Sequence, residues 1–155
     1  MSDIFTSTNL ALLNLRVGTG VIFIPHGYPK MSGRGNQEKH GRASLTQSIA
    51  RLGFPFPYAL AIVVGTIECV GGLMLIVGLL TPWVALAEAF VMLVATGRNF
   101  SQKSFVGSAD FPFSLLVAML ALALLGGGAL SLDRVLFAVG YGFCTQPDAL
   151  RRYPS

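Results

Sequence analysis

The apolar residues of this chain are gathered into four near-continuous blocks, at about 10–25, 58–80, 83–96 and 111–132, separated by polar or glycine- and proline-bearing connectors. Within the blocks the pattern neither alternates with period two nor keeps a one-sided 3.6-residue period. That distinguishes segments surrounded by hydrocarbon from a surface helix with a single apolar face. Open sheet cannot satisfy its backbone in lipid, and barrel strands would alternate, so the blocks predict helices. The expected fold is all-α, an integral membrane four-helix bundle with an extended basic loop after the first helix. The first and third blocks fall short of the ~20 residues that span a bilayer, a deficit that tilt, local thinning or flanking residues can supply. Between the second and third blocks stands little more than Thr81-Pro82, which forces an antiparallel hairpin with Pro82 in the first turn of the third helix.

The connector at 26–57 carries Lys30, Arg34, Lys39, Arg42 and Arg51 against the single acid Glu38. Leu45, Ile49 and Leu52 recur there at helical spacing and predict a short helix on the bundle mouth or headgroups, ended by Gly53-Phe-Pro-Phe-Pro57. Past the glycines at 126–128 and the Ser131-Leu-Asp133 turn begins a C-terminal tail at 133–155, whose apolar segment 134–143 is too short to span. It is expected at the interface, with Tyr141 and Phe143 at headgroup level, or as the packed end of the bundle. The whole chain, 1–155, reads as one membrane domain. Seven Lys and Arg fall on the side of the first and third connectors, including Arg98 and Lys103. Arg134, Arg151 and Arg152 fall on the other, so the positive-inside rule places the basic loop in the cytoplasm and both termini outside. A basic functional lid would give the same bias.

Composition agrees with the pattern: 53% of the 155 residues are hydrophobic and 12% charged, against roughly 25% charged in a soluble domain. The net charge of +4 sits in connectors beside the blocks, where topology explains it better than nucleic-acid binding, for which no module is present. Residues 1–9 hold no Lys or Arg, so the first block lacks a charged secretory leader and is expected to be retained. Cys69 and Cys144 form no CxxC pair, and His26 and His40 are isolated, so no metal or thiol chemistry is expected.

Three ionisable residues, Arg16, Glu68 and Glu88, stand near the middle of three different blocks. A charge there costs roughly 2.5–3.5 kcal/mol on insertion scales and commonly faces the bundle interior. Each lies on a stripe of small residues at helical spacing: Arg16, Gly20, Phe23 and Gly27; Gly65, Glu68, Cys69 and Gly72; Ala85, Glu88, Ala89 and Met92. The stripes predict close helix contacts that turn the charges inward at similar depth. Arg16 is expected to take one of the two carboxylates in bidentate geometry, leaving the other as a candidate neutral proton carrier. The simpler alternative is a network that only sets helix order.

His26-Gly27-Tyr28-Pro29-Lys30 is expected to close the first helix at the membrane mouth. There His26 can exchange protons near neutrality and Lys30 can attract an anionic headgroup or a semiquinone oxygen, unless both serve only as interfacial anchors. Asp110 is positioned to cap the fourth helix and Asp133 to organise a turn. Phe54, Phe56, Phe111 and Phe113 suit an aromatic belt, or the lining of a portal for a flat hydrophobic ligand.

Taken together, Leu15-Arg16 before His26-Gly-Tyr-Pro-Lys30, then Leu52-Gly-Phe-Pro, Glu68-Cys-Val-Gly-Gly72, Leu79-Leu-Thr-Pro82 and the glycine-rich run before Ser131-Leu-Asp133 resemble the DoxX family of small four-helix membrane proteins. The resemblance runs from about residue 15 to 133. It implies a multi-pass protein of the bacterial or archaeal cytoplasmic (inner) membrane, working as an accessory or quinone-linked part of an oxidoreductase system, as in thiosulfate oxidation by the related DoxD and DoxA proteins. This chain departs from the family form in having Asp110 where Glu commonly precedes the last helix, and in its tail. The functional expectation is a membrane subunit of a quinone-linked redox system. Arg16, Glu68 and Glu88 would form its catalytic core, His26 and Lys30 would contact the cofactor, and lipid and membrane proteins would be its partners. The alternative is a non-enzymatic assembly subunit of a larger membrane complex.

Overall fold

A computed structural model describes residues 6–33, 41–102 and 105–140. Its elements are α1 (Ser7–Ser32), α2 (Arg42–Arg51), α3 (Pro57–Val77), α4 (Thr81–Gln102), a kinked turn at Phe105–Ala109, α5 (Asp110–Leu125) and α6 (Leu132–Gly140). Among the described residues three helical segments are long and apolar enough to cross a membrane: Ser7–Ser32, Pro57–Val77 and Phe105–Leu125. With its 22 residues α4 has the length as well, but Glu88, Arg98 and a polar C-terminal end lower its hydropathy. The packing runs in a ring, α1 on α3, α3 on α4, α4 on α5, and α5 back onto α1. Val63, Leu73, Trp83, Phe90 and Leu124 face outward, an apolar exterior that water would penalise and hydrocarbon accepts.

Glycine sets the closest seam. A Cβ on Gly20 would lie 2.5 Å from Gly72 O, and one on Gly27 would lie 2.5 Å from Cys69 N and 2.7 Å from Gly65 O. Here α1 and α3 run antiparallel with their backbones in contact, an approach open only to residues without side chains. The small-residue stripes of these two helices do form their mutual interface.

Three helix ends differ from the apolar blocks. The first helix continues through Pro25 and Pro29 to Ser32, seven residues past the expected end at 25. Each proline forfeits one hydrogen bond, which a helix packed on a neighbour in lipid can tolerate. It stops at Gly33, whose φ of 68° is left-handed and whose N–H donates to Pro29 O. The third spanning helix, expected at 83–96, begins at Thr81 and runs on through Gly97-Arg98-Asn99 to Gln102. Polar side chains end the hydrocarbon span, but they do not end the helix. The fourth breaks at Gly126 (φ 72°) rather than near 132, and the chain re-enters a helix at Leu132.

The expected short helix in the basic connector is α2. In front of α5, Asp110 accepts the Gly107 and Phe111 N–H groups at 3.1 and 2.9 Å, so it shapes the turn into the helix. Arg34, Glu38, Lys39, His40, Lys103, Tyr141, Phe143, Cys144, Arg151 and Arg152 lie outside the described residues.

Candidate functional site

Because α1 remains helical past Pro25, Lys30 stays on the stripe that faces α3. Its Cβ lies where a side chain on Gly65 would be, 2.7 Å from that position. The ammonium group then reaches Glu68, donating to Oε1 at 2.5 Å and pairing with Oε2. Glu68 is buried and Lys30 nearly so, with 2% and 17% of their side chains exposed. This pair is closed toward the bundle and open at the Lys30 edge.

Glu88, on α4, is fully buried. Its Oε1 lies 2.6 Å from where a Cβ on Gly71 would stand, so the missing side chain of α3 makes room for the carboxyl of α4. Neither Glu88 oxygen has a hydrogen-bond partner among the described residues. The charges acting on it are those of Glu68 and Lys30, opposite in sign. Two carboxyls and one ammonium therefore share the interior between α1, α3 and α4.

Arg16 is not among them. The antiparallel register that sets Gly27 beside Gly65 and Cys69 places Arg16 beside Gly78, just past the end of α3. Fourteen residues of helix, about 21 Å at 1.5 Å each, separate it from Lys30. The expected pairing of Arg16 with a glutamate is thus corrected. Its Nη2 donates to Leu130 O at 2.9 Å, and the acid acting on it is Asp133. Asp133 in turn accepts Leu80 N–H at 2.5 Å and Thr81 N–H at 2.8 Å, while its own N–H donates to Gly78 O. This is a remote cap: the first turn of α4 has unpaired N–H groups, and the carboxylate of α6 satisfies two of them. Arg16 and Asp133 together close the end of the bundle opposite Lys30.

His26 and Lys30, expected side by side at the mouth, engage different helices. The His26 ring is exposed, holds Nδ1 2.8 Å from Ile22 O and stacks on Phe111 of α5 with centroids 5.8 Å apart. Lys30 turns to α3. Cys69, next to Glu68, is a free buried thiol at the α1–α3 seam.

Two contributors carried no expectation of this role. Lys30 as an ion partner was signalled only by its spacing, three residues beyond Gly27 on the stripe of Arg16, Gly20 and Phe23. Arg42 was read as a loop charge, yet it finishes α1. Its Nε donates to Lys30 O at 2.8 Å, Nη2 to Met31 O and Nη1 to the Tyr58 hydroxyl at 2.8 Å, with the guanidinium 5.4 Å from the Tyr58 ring centroid. The planar fork satisfies two terminal carbonyls and ties α2 to the start of α3. Lys30 is therefore held by its backbone as well as by its charge.

Comparison with known proteins places the chain within a family. The DoxX family matches residues 11–106, a stretch that contains Lys30, Glu68 and Glu88. "Putative oxidoreductase CatD" of Bacillus subtilis (strain 168) is 33% identical over 131 residues, covering 84% of this chain and 90% of that protein. "Inner membrane protein YphA" of Escherichia coli (strain K12) is 29% identical over 140 residues, covering 85% and 94%. No solved structure matches.

Proposed function

The chain belongs to the DoxX family of membrane proteins, and from that premise we propose that it is a multi-pass inner-membrane subunit of a redox system whose Glu88, beside the Lys30–Glu68 pair, exchanges protons with a quinone. The observation that carries this reading is Glu88, a fully buried carboxyl with no hydrogen-bond partner among the described residues, set against the Lys30–Glu68 pair. An unbonded acid in a dry interior is expensive to retain, and inside membranes such groups mark proton relays and ligand sites. The names of the Bacillus subtilis and Escherichia coli relatives support the redox and inner-membrane parts respectively.

The residues present suit a quinone. Its ring oxygens need a donor when bound and protons when reduced; Lys30 is a donor, and Glu88 has both oxygens uncommitted. When bound, the quinone would accept two electrons delivered by a partner membrane protein. In the chain itself, Lys30 donates hydrogen bonds from its partly exposed edge, Glu68 holds the ammonium in place, and Glu88 gives or takes the proton. Arg16 stands outside this cluster and serves the opposite end of the bundle.

The test is equilibrium titration of the purified protein, in lipid nanodiscs, with a short-chain benzoquinone analogue. Glu88→Gln and Lys30→Met are each expected to raise Kd at least about tenfold, ~1.4 kcal/mol. Unchanged binding in both variants refutes the site.

A further inference from the structure

We infer that the Lys30 end of the bundle carries a site for one anionic phospholipid, with its phosphate on Arg98 and the start of an acyl chain along Gly97 and Val94. The inference stands apart from the quinone reading and uses none of its residues.

The site is a hollow of about 310 Å³ between two parts of the chain, lined by Leu52 and Phe54 of the α2–α3 connector and by Val94, Gly97, Arg98 and Ser101 of α4. Because α2 packs on α1 and α3, the hollow lies between its exit and α4. Leu52, Phe54 and Val94 are exposed, so the hollow opens to the surroundings of the bundle through an apolar rim. Its volume is at the small end of ordinary ligand sites, room for a headgroup and the first methylenes of a chain. The rest of such a lipid stays in the bilayer.

Arg98 supplies the recognition. It is half-buried, its Nε is shielded from solvent, and its guanidinium bonds to no described residue. The described acids are engaged or remote: Glu68 holds Lys30, Asp110 accepts the Gly107 and Phe111 N–H groups, Glu88 is fully buried in the core and Asp133 closes the opposite end. A phosphodiester presents two oxygens in the geometry that the planar guanidinium fork takes. No carboxylate lines the hollow to receive the ammonium of a zwitterionic headgroup, and the exposed Arg51 beside Leu52 adds positive charge. The charge therefore selects a lipid that is negative overall.

Depth agrees with this occupant. Arg98 stands seventeen residues beyond Thr81 on α4, about 26 Å at 1.5 Å per residue, close to the ~30 Å thickness of bilayer hydrocarbon. Phe56, Tyr58 and Phe100, all exposed, form the aromatic belt expected at that level. Arg98 is thus at headgroup height, and Val94, one turn further in, is among acyl chains. Between them is Gly97, where a Cβ would meet nothing within 4 Å. No protein neighbour requires a glycine there, and glycine weakens a helix; what it does is widen the hollow beside Arg98.

The test is native mass spectrometry of the full chain in detergent micelles, titrated with phosphatidylglycerol and, separately, with phosphatidylcholine. One saturable phosphatidylglycerol adduct is expected, with Kd at least about fivefold below that of phosphatidylcholine. Arg98→Gln removes the charge and Gly97→Leu fills the hollow, and each is expected to raise the phosphatidylglycerol Kd at least about fivefold. Neither change breaks a described contact; should Gly97→Leu still fail to fold, Val94→Phe repeats the block one turn deeper. Arg51→Gln removes the same charge from the same end but outside the lining, and is expected to change Kd less than about twofold. Unsaturable adducts, equal affinity for the two lipids, wild-type affinity in Arg98→Gln or in the filled variant, or an equal loss in Arg51→Gln each overturns the site.

Discussion

Replacing Lys30 by methionine keeps the length and most of the apolar stem of the side chain and removes only the charge that faces Glu68. Glu68 is 2% exposed and has both oxygens engaged by the ammonium, so the variant leaves a buried carboxyl with neither its cation nor its donor. Removing one partner of such a pair costs about 3–5 kcal/mol. The reverse change is cheaper: in Glu68→Leu the ammonium, already 17% exposed, extends its stem to water, for about 1–2 kcal/mol. In the double variant Lys30→Met/Glu68→Leu, two apolar side chains of similar volume meet, and such replacements lie close to neutral. The single effects therefore sum to about 4–7 kcal/mol, the double variant loses ~1 kcal/mol, and the coupling energy is about 3–6 kcal/mol. Reversible unfolding in mixed micelles, titrated with SDS and followed by circular dichroism, measures all four corners of this cycle. Additivity within about 0.5 kcal/mol would show that the two groups do not form a closed pair in the folded bundle.

The same unfolding assay separates the two kinds of glycine on α1. Gly27→Leu drives a side chain into the α3 backbone and is expected to cost at least about 3 kcal/mol or abolish folding, whereas Gly18→Ala meets nothing within 4 Å and gains about 0.5–1 kcal/mol of helix propensity. Asp133→Ala strips the start of α4 of two charge-assisted hydrogen bonds and is expected to cost about 3 kcal/mol; a loss below ~0.5 kcal/mol would rule out the remote cap. Arg16→Met lowers stability by about 1–3 kcal/mol through loss of the Leu130 contact, yet leaves quinone-analogue affinity unchanged, unlike Glu88→Gln. Arg42→Lys destabilises almost as much as Arg42→Ala, because one ammonium cannot reproduce the fork on Lys30 O, Met31 O and Tyr58.

The helical bundle was legible because hydrocarbon admits so few alternatives: an apolar run without alternation has to be a helix. The α1–α3 seam was legible for a similar reason, since Gly20, Gly27, Gly65 and Gly72 at helical spacing do in lipid what bulky residues do in a soluble core. The chemistry within the bundle was only half legible. Arg16, Glu68 and Glu88 are all buried as expected, and one carboxyl is left over, but the cation is Lys30 and the leftover acid is Glu88. The error came from reading Pro25 as a terminus. That reading shortened α1, centred it too close to Arg16 and put Lys30 in a loop. Depth judged from the middle of an apolar run ignores the offset between neighbouring helices, and here the offset moves Arg16 to the end of α3. Asp133 and Arg42 left no local trace, because an aspartate that caps a helix 52 residues earlier in the chain looks like any turn residue.

That 52-residue separation also bears on how the protein is made. Chains leave the ribosome from the N-terminus, so α3 and α4 have emerged well before Asp133 exists. Until the chain has delivered α5 and turned back at Gly126, the N–H groups of Leu80 and Thr81 lack the acceptor they have in the finished protein, and Arg16 lacks Leu130 and Asp133. Insertion of the early hairpin is in this sense provisional, completed only when late-synthesised residues return to its tip. A nascent chain released before Asp133 would present an incomplete hairpin end, open to membrane quality-control proteases, whereas a chain that reaches Gly140 carries the means of closing it.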